Sequence, residues 1–144
     1  MNEKRIELST PLDSEIVKSL KTGDMVYISG TIYTARDAAH KKLCELIDAG
    51  EPMPFDFRGA VVFYAGPCPA KPGRPIGSVG PTTSGRMDLY SPKLIENGLR
   101  FMIGKGLRGE EVTKAIIEYN GVYFAAIGGA AALMARRVIS SEIV

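Results

Sequence analysis

Cysteine is scarce in this sequence. Cys44 and Cys68 are the only two among 144 residues, far apart and without the spacing of a zinc site or a thioredoxin-type pair. Two thiolates also fall short of the three or four that usually hold an iron–sulfur cluster, so a metal centre carried by this chain is not expected. Long apolar runs are missing as well: no stretch approaches the roughly 18 residues of a membrane span. The segment "MNEKRIELSTPL" has no apolar core of signal-peptide length. The expected setting is soluble, reducing and cytoplasmic, with no membrane partner. Charge of one sign is absent too, since 18 Lys plus Arg oppose 16 Asp plus Glu for a formal +2, with the basic residues spread out. That balance argues against nucleic acid.

Nucleotide motifs are also lacking. In "GLRFMIGKG" five residues, not four, separate Gly98 from Gly104, and Gly106 stands where a P-loop needs Ser or Thr. No G-x-G-x-x-G follows a first strand. Internal repeats and low-complexity segments are missing, and the length and 45% hydrophobic content suit a single domain over residues 1–144.

What is present alternates between two periods. "STPLDSEIVKSLKTGD" predicts a short amphipathic helix with Thr10 as cap, Pro11 in the first turn and Gly23 as stop. "MVYISG" predicts a buried strand. "TARDAAHKKLCELIDAG" predicts a helix of three to four turns, with Thr34 as N-cap and Gly50 at its C-terminal side. "AVVFYAG" predicts a second buried strand. The following "PCPAKPGRPIGSVGPT" is a loop with four prolines and three glycines before Pro81, and loops this long in compact domains tend to be functional. A helical stretch interrupted at Ser91-Pro92 and closed by Gly98 comes next. A strand "LRFMIG", a helix "EEVTKAIIEYN", a strand "VYFAAIGG" and a last helix "AAALMARRVI" complete the chain. Such alternation predicts an α/β domain, mostly parallel where helices cross over.

Each apolar strand ends in glycine, at Gly30, Gly66, Gly104 and Gly128-Gly129. Ligands of open α/β sheets collect beyond the carboxyl ends of strands, so the segments that follow are candidates to share a surface. The residues to weigh are Arg36, Asp37, His40, Thr82, Thr83, Arg86, Asp88 and Lys105. Arg36 falls in the first turn of its helix, where the dipole disfavours a cation. It either meets an anionic ligand or pairs with a neighbouring acid such as Asp37. His40, the only histidine, shares a helix face with Arg36 at i+4 and is either an acid/base group or a structural residue. "GPTTSGR" offers backbone N–H groups and two hydroxyls to a carboxylate or phosphate, or is a capped turn. A helix starting near Thr82 would place Thr82 and Arg86 on one face. Lys105 leaves a strand end between two glycines.

The segments "GDMVYISGTIYTARDAAHKKL", "FYAGPCPAKPG", "IGSVGPTTSGRMDLY", "MIGKG" and "GVYFAAIGGAAAL" resemble, in order, the signatures of the iron–sulfur-dependent class I fumarate hydratases. The resemblance is to their C-terminal domain or separate beta subunit, in a superfamily that includes the L-tartrate dehydratase beta subunit. It implies a swivelling β/β/α three-layer domain with a mixed sheet and helices on one side. It also implies a hydro-lyase acting on a small dicarboxylate such as fumarate and malate, tartrate or mesaconate. The 4Fe-4S cluster is then bound by three cysteines of a partner alpha subunit, leaving Cys44 and Cys68 incidental and this chain inactive alone. A hetero-oligomer with that subunit is implied, and a homodimer when isolated. The same resemblance gives Arg36, Arg86 and Lys105 contacts to the dicarboxylate together with Thr83. Thr82 becomes the proton-transfer group, while on the sequence alone Asp37 and His40 remain alternatives to it or supports. A non-catalytic anion-binding module is the alternative of another class.

Overall fold

The computed structural model describes residues 5–126 and 134–144. Two parallel sheets form it. In the first, β1 (Arg5–Ser9) pairs with β2 (Met25–Ser29), with Arg5 opposite Met25 and Ser9 opposite Ser29. The second has the order β3 (Tyr33–Thr34), β4 (Val61–Phe63), β5 (Phe101–Gly104), β6 (Val122–Ala125). Helix α1 (Ser14–Lys18) links the strands of the first sheet. Within the second, α2 (Asp37–Asp48), α3 (Ser91–Glu96) and α4 (Glu110–Tyr119) fill successive crossovers, with a 3-10 turn at Ser84–Met87 before α3. Every pairing among the described strands is parallel, where the resemblance implies a mixed sheet. The cause is local: each connection within the larger sheet carries a helix, and a helical crossover returns the chain in the same direction.

The period of two along the strands sorts side chains into layers. Val61, Phe101, Val122 and Phe124 face the first sheet, packing with Leu8, Leu12, Val17, Val26 and Ile28. Their neighbours Val62, Met102 and Tyr123 face the opposite way, onto Leu43, Leu94, Ile95, Val112 and Ala115 of the helices. The order is therefore sheet, sheet, helices: a β/β/α three-layer α/β fold with helices on one side. A third cluster joins Phe63, Ala65 and Val79 to Ile76, Met134 and Ala135, pinning the end of the long loop to the sheet. Truncating a side chain as enclosed as Ile95, at 0% exposure, costs about 2–5 kcal/mol.

Several local expectations shift. Residues 10–12 are tied down outside the helix, with the Thr10 N–H on the Ser29 carbonyl of β2 and the Leu12 N–H on the Gly59 carbonyl in the turn before β4. Thr10 therefore cannot cap α1. Asp13 does, its carboxylate accepting the Glu15 N–H at 2.8 Å. Thr34 is likewise held in β3 opposite Phe63, and Ala35 N–H still bonds the Phe63 carbonyl, so α2 starts later with Arg36 at its N-cap. Gly50 ends α2 as expected, with φ +69° and the Glu51 N–H reaching back to the Leu46 carbonyl. The strand at Met25–Ser29 is half exposed rather than buried, since its outer face has no further layer: Met25 is 45% and Tyr27 46% exposed. Gly128-Gly129 and the start of the closing helix lie outside the described residues.

The helical layer encloses His40, at 1% exposure, edge-on to the Tyr64 ring with centroids 5.1 Å apart. Burial, foremost, holds the imidazole below its ordinary 6.5, assisted by the charge of Arg108 and opposed by Asp37 and by the hydrogen bond to the Arg36 carbonyl. The unfolded chain therefore takes up this proton first as pH falls. Stability contributed by the neutral ring is present above 6.5 and is lost as pH drops below it. Thermal melts should show stability declining through that window, and His40→Gln should flatten this decline. An unchanged slope in the variant would place the proton uptake elsewhere.

Candidate functional site at the carboxyl edge of the larger sheet

Because β3, β4 and β5 run parallel, their carboxyl ends open on one edge. Arg36 and Asp37 follow β3, Gly66 lies shortly after β4, and Lys105 follows β5 directly. The segment 82–87 crosses this edge and is laced to it. Thr82 N–H donates to the Tyr64 carbonyl at 2.7 Å, Ser84 N–H to the Lys105 carbonyl at 2.9 Å, and Thr83 bridges Lys105 in parallel register. Thr82 and Thr83 thus precede the helical turn, which begins at Ser84. This corrects the expectation of a helix from Thr82: strand-end pairing, not a common helix face, gathers these residues.

Two glycines make the approach possible. A Cβ on Gly66 would stand 2.5 Å from the Arg36 guanidinium carbon, so that side chain lies directly over the Gly66 backbone. A Cβ on Gly104 would strike the Ser84 hydroxyl and come within 2.9 Å of the Tyr64 ring.

Arg86, on the 3-10 turn, donates from Nη2 to Asp37 Oδ2 at 2.6 Å. That hydrogen bond is the main reason the Asp37 carboxyl lies below its ordinary 3.8. The pair stays accessible, at 56% and 44% side-chain exposure, so it is weak enough to rearrange around a ligand. Asp37 Oδ1, by contrast, is buried without a hydrogen-bond partner. The neighbour that pairs with Asp37 is therefore Arg86, not Arg36. Arg36 and Lys105 are exposed, and among the described residues neither has a carboxylate within ion-pair distance. Three cations against one carboxylate leave the edge with two positive charges.

His40 lies apart from this surface. Its Nδ1 is 2.8 Å from the Arg36 carbonyl, which fixes the proton on Nδ1, and the same carbonyl accepts the His40 backbone N–H at 2.9 Å. The imidazole buttresses the backbone that presents Arg36.

Asp88 and several residues that local pattern does not single out form the floor. Arg108, with its side chain 4% exposed, donates Nε to Asp88 Oδ1 at 2.8 Å and Nη2 to Ser91 Oγ at 2.9 Å. Its guanidinium carbon sits 5.0 Å from the Tyr64 centroid and 4.9 Å from that of Tyr123. "GLRGEE" reads as an exposed loop before an acidic helix start, and nothing local announces that two distant tyrosines enclose its arginine.

Among the described residues no group of three or more His, Cys, Asp or Glu could hold a metal ion. Cys44 is half-buried on α2, its thiol pushed up foremost by burial and lying 3.8 Å from the Tyr90 carbonyl. Cys68 is exposed at the base of the long loop. Two cysteines so placed do not fit an iron–sulfur cluster, and the side chains described at the sheet edge are cations, one carboxylate and hydroxyls.

Comparison with known proteins identifies the family. The family described as Fumarase C-terminus matches residues 1–144. The chain is 42% identical over 130 residues to the putative L(+)-tartrate dehydratase subunit beta of Methanocaldococcus jannaschii, covering 88% of this chain and 67% of that one. It is 40% identical over 139 residues to the anaerobic class I fumarate hydratase of Escherichia coli, covering 94% of this chain and 25% of that one. With mitochondrial fumarate hydratase 1 of Leishmania major the identity is 43% over 113 residues, 78% of this chain and 21% of that one. The chain thus spans a quarter or less of the length of these fumarate hydratases. Matched from end to end, and carrying its polar residues at one edge of a β/β/α fold, the chain belongs to the fumarase C-terminus family.

Proposed function

We propose that this chain is the beta subunit of a class I fumarate hydratase, a hydro-lyase that interconverts fumarate and (S)-malate in the cytoplasm. It supplies dicarboxylate-binding residues to a site that a cluster-bearing alpha subunit completes. The observation that carries this reading is the set of Arg36, Arg86, Lys105 and two threonines at one sheet edge, with two positive charges in excess. A four-carbon dicarboxylate bears the matching charge. The 4Fe-4S cluster belongs, in this reading, to the partner.

The roles follow from the chemistry. Dehydration of malate breaks a C–H bond beside a carboxylate and builds negative charge on that group, which Arg36, Arg86 and Lys105 stabilise more strongly in the transition state than in the ground state. Planar guanidinium forks suit carboxylates, and Thr83 offers a further hydroxyl. Thr82 is the proton-transfer group. A neutral hydroxyl takes up a proton only by passing its own onward, so the final acceptor lies beyond Thr82. Asp37 holds Arg86 until substrate competes for it, and His40 supports Arg36.

Leu89 and Leu107 flank the same edge at 82% and 92% exposure. Such apolar positions beside a charged site fit the docking of the alpha subunit, which would cover the cations and exclude water. A second reading, the L-tartrate dehydratase beta subunit, is favoured by the relative in which a chain of comparable extent is itself a named beta subunit.

The test is co-expression with an alpha subunit, anaerobic cluster reconstitution and assay of malate, fumarate, tartrate and mesaconate. Turnover of fumarate and malate by the complex alone is expected. Activity of the isolated chain would contradict the reading, and turnover confined to tartrate would favour the second. In that complex, Arg36→Lys and Arg86→Lys each should lower kcat/KM by about 2–4 kcal/mol, because the charge stays but the fork is lost. Wild-type kinetics would remove either residue from the site. Thr82→Ala should depress kcat far more than it raises KM, as expected of a group acting in the transition state. Near-normal turnover would assign proton transfer elsewhere. Leu107→Asp should weaken subunit association, by about tenfold or more in titrations, while the melting temperature of the isolated chain stays unchanged; equal association would contradict this docking edge.

A further inference from the structure

The floor beneath the cations is a connected polar network, and its parts lead to the segments that carry the site. Ser91 Oγ donates to the Met87 carbonyl at 2.9 Å while accepting from Arg108, so the Tyr64 hydroxyl 3.1 Å away must donate to it. Tyr123 donates to the Gly106 carbonyl at 2.9 Å, so Ser84 Oγ, at 2.7 Å, donates to Tyr123. Asp88 is shared: one oxygen takes Arg108 Nε and the other takes the Gly109 N–H at the start of α4, at 2.6 Å. Arg108 is thus held by the two tyrosine rings and Asp88. It links the residue that follows β4, the strand β6, the turn bearing Arg86 and the segment after Lys105.

We infer that Arg108 is the positioning residue of the site, setting the spacing between the Thr82–Arg86 segment and Lys105 through Asp88 and the Ser84–Tyr123–Gly106 relay. The inference rests on the reading of those residues as the dicarboxylate site. It touches no substrate: at 4% exposure the guanidinium is spent on Asp88, Ser91 and the ring faces. Its fork is what the arrangement needs, because one planar cation reaches a carboxylate and a hydroxyl while stacking on two rings. A lysine cannot do all of this. The sulfur of Met102, 3.6 Å from Nη1, closes the remaining side.

Two variants test it. Arg108→Lys keeps the charge and loses the fork, whereas Tyr123→Phe keeps the ring under Arg108 and removes only the hydroxyl that joins Ser84 to Gly106. Hydrogen exchange in the isolated chain is read first. The Thr82 and Ser84 amides, which bond the strand ends, should exchange about tenfold faster in both variants while α2 amides keep their rates. In the reconstituted complex, Arg108→Lys should lower kcat/KM by about 10–100-fold, and by a clearly smaller factor when Arg86 is already lysine, since part of what Arg108 positions is then already lost. A general loss of folding would subtract the same fraction in both backgrounds. Unchanged exchange at Thr82 and Ser84, or equal losses in both backgrounds, would overturn the inference. Should the wild-type complex turn over no dicarboxylate, the proposed function fails and the exchange result alone decides the role of Arg108.

Discussion

Everything at the candidate site depends on parallel pairing. Three strands with the same direction and near-level ends must deliver the residues that follow them to one edge, and here those residues are Arg36-Asp37, Gly66 and Lys105. The segment from Thr82 to Arg86 is then docked onto that edge by backbone bonds to Tyr64 and Lys105 rather than by its own helix. Gly66 and Gly104 keep the floor low enough for the Arg36 guanidinium and the Ser84 hydroxyl to pass over it. An antiparallel strand in place of β4 or β5 would send half of this set to the far end of the sheet.

Charge is managed at two depths. On the surface, Asp37 and Arg86 form an exposed pair, of the kind that contributes about 0–1 kcal/mol and exchanges partners readily. Below, the buried Arg108 pairs with a half-buried Asp88, where losing one partner would be costly, and bonds from Arg108 to Ser91 and from the Gly109 N–H to Asp88 help fix the geometry. The upper cations are thus accessible while the lower one is enclosed. Covering the edge with a partner would lower the local dielectric and strengthen the upper contacts.

Much of this was legible in the sequence. Strands "AVVFYAG" and "LRFMIG", the helix ended by Gly50 and the glycine-terminated strand pattern all follow from local signals, and Arg36, Thr82, Arg86 and Lys105 stand where that pattern directs attention. Other features are set by contacts distant in sequence. Thr10 and Thr34 carry good capping side chains, but their backbones are claimed by the sheets, moving both helix starts downstream. β1 carries no local strand signal, because "RIELS" is short and charged and becomes a strand only against Met25–Ser29. Arg108 escapes a local reading for the same reason: its burial is the work of Tyr64 and Tyr123, which local pattern cannot bring together.

The central claim is that this edge recognises two carboxylates by two excess positive charges. The most direct measurement is the affinity of the assembled complex for a four-carbon dicarboxylate and for its monoamide, in the wild type and in Arg36→Gln. The account predicts a strong preference for the dicarboxylate that shrinks by about tenfold or more once Arg36 is neutral. A preference that survives unchanged in Arg36→Gln, and equally in Arg86→Gln and Lys105→Gln, would show that the carboxylates are held by other residues.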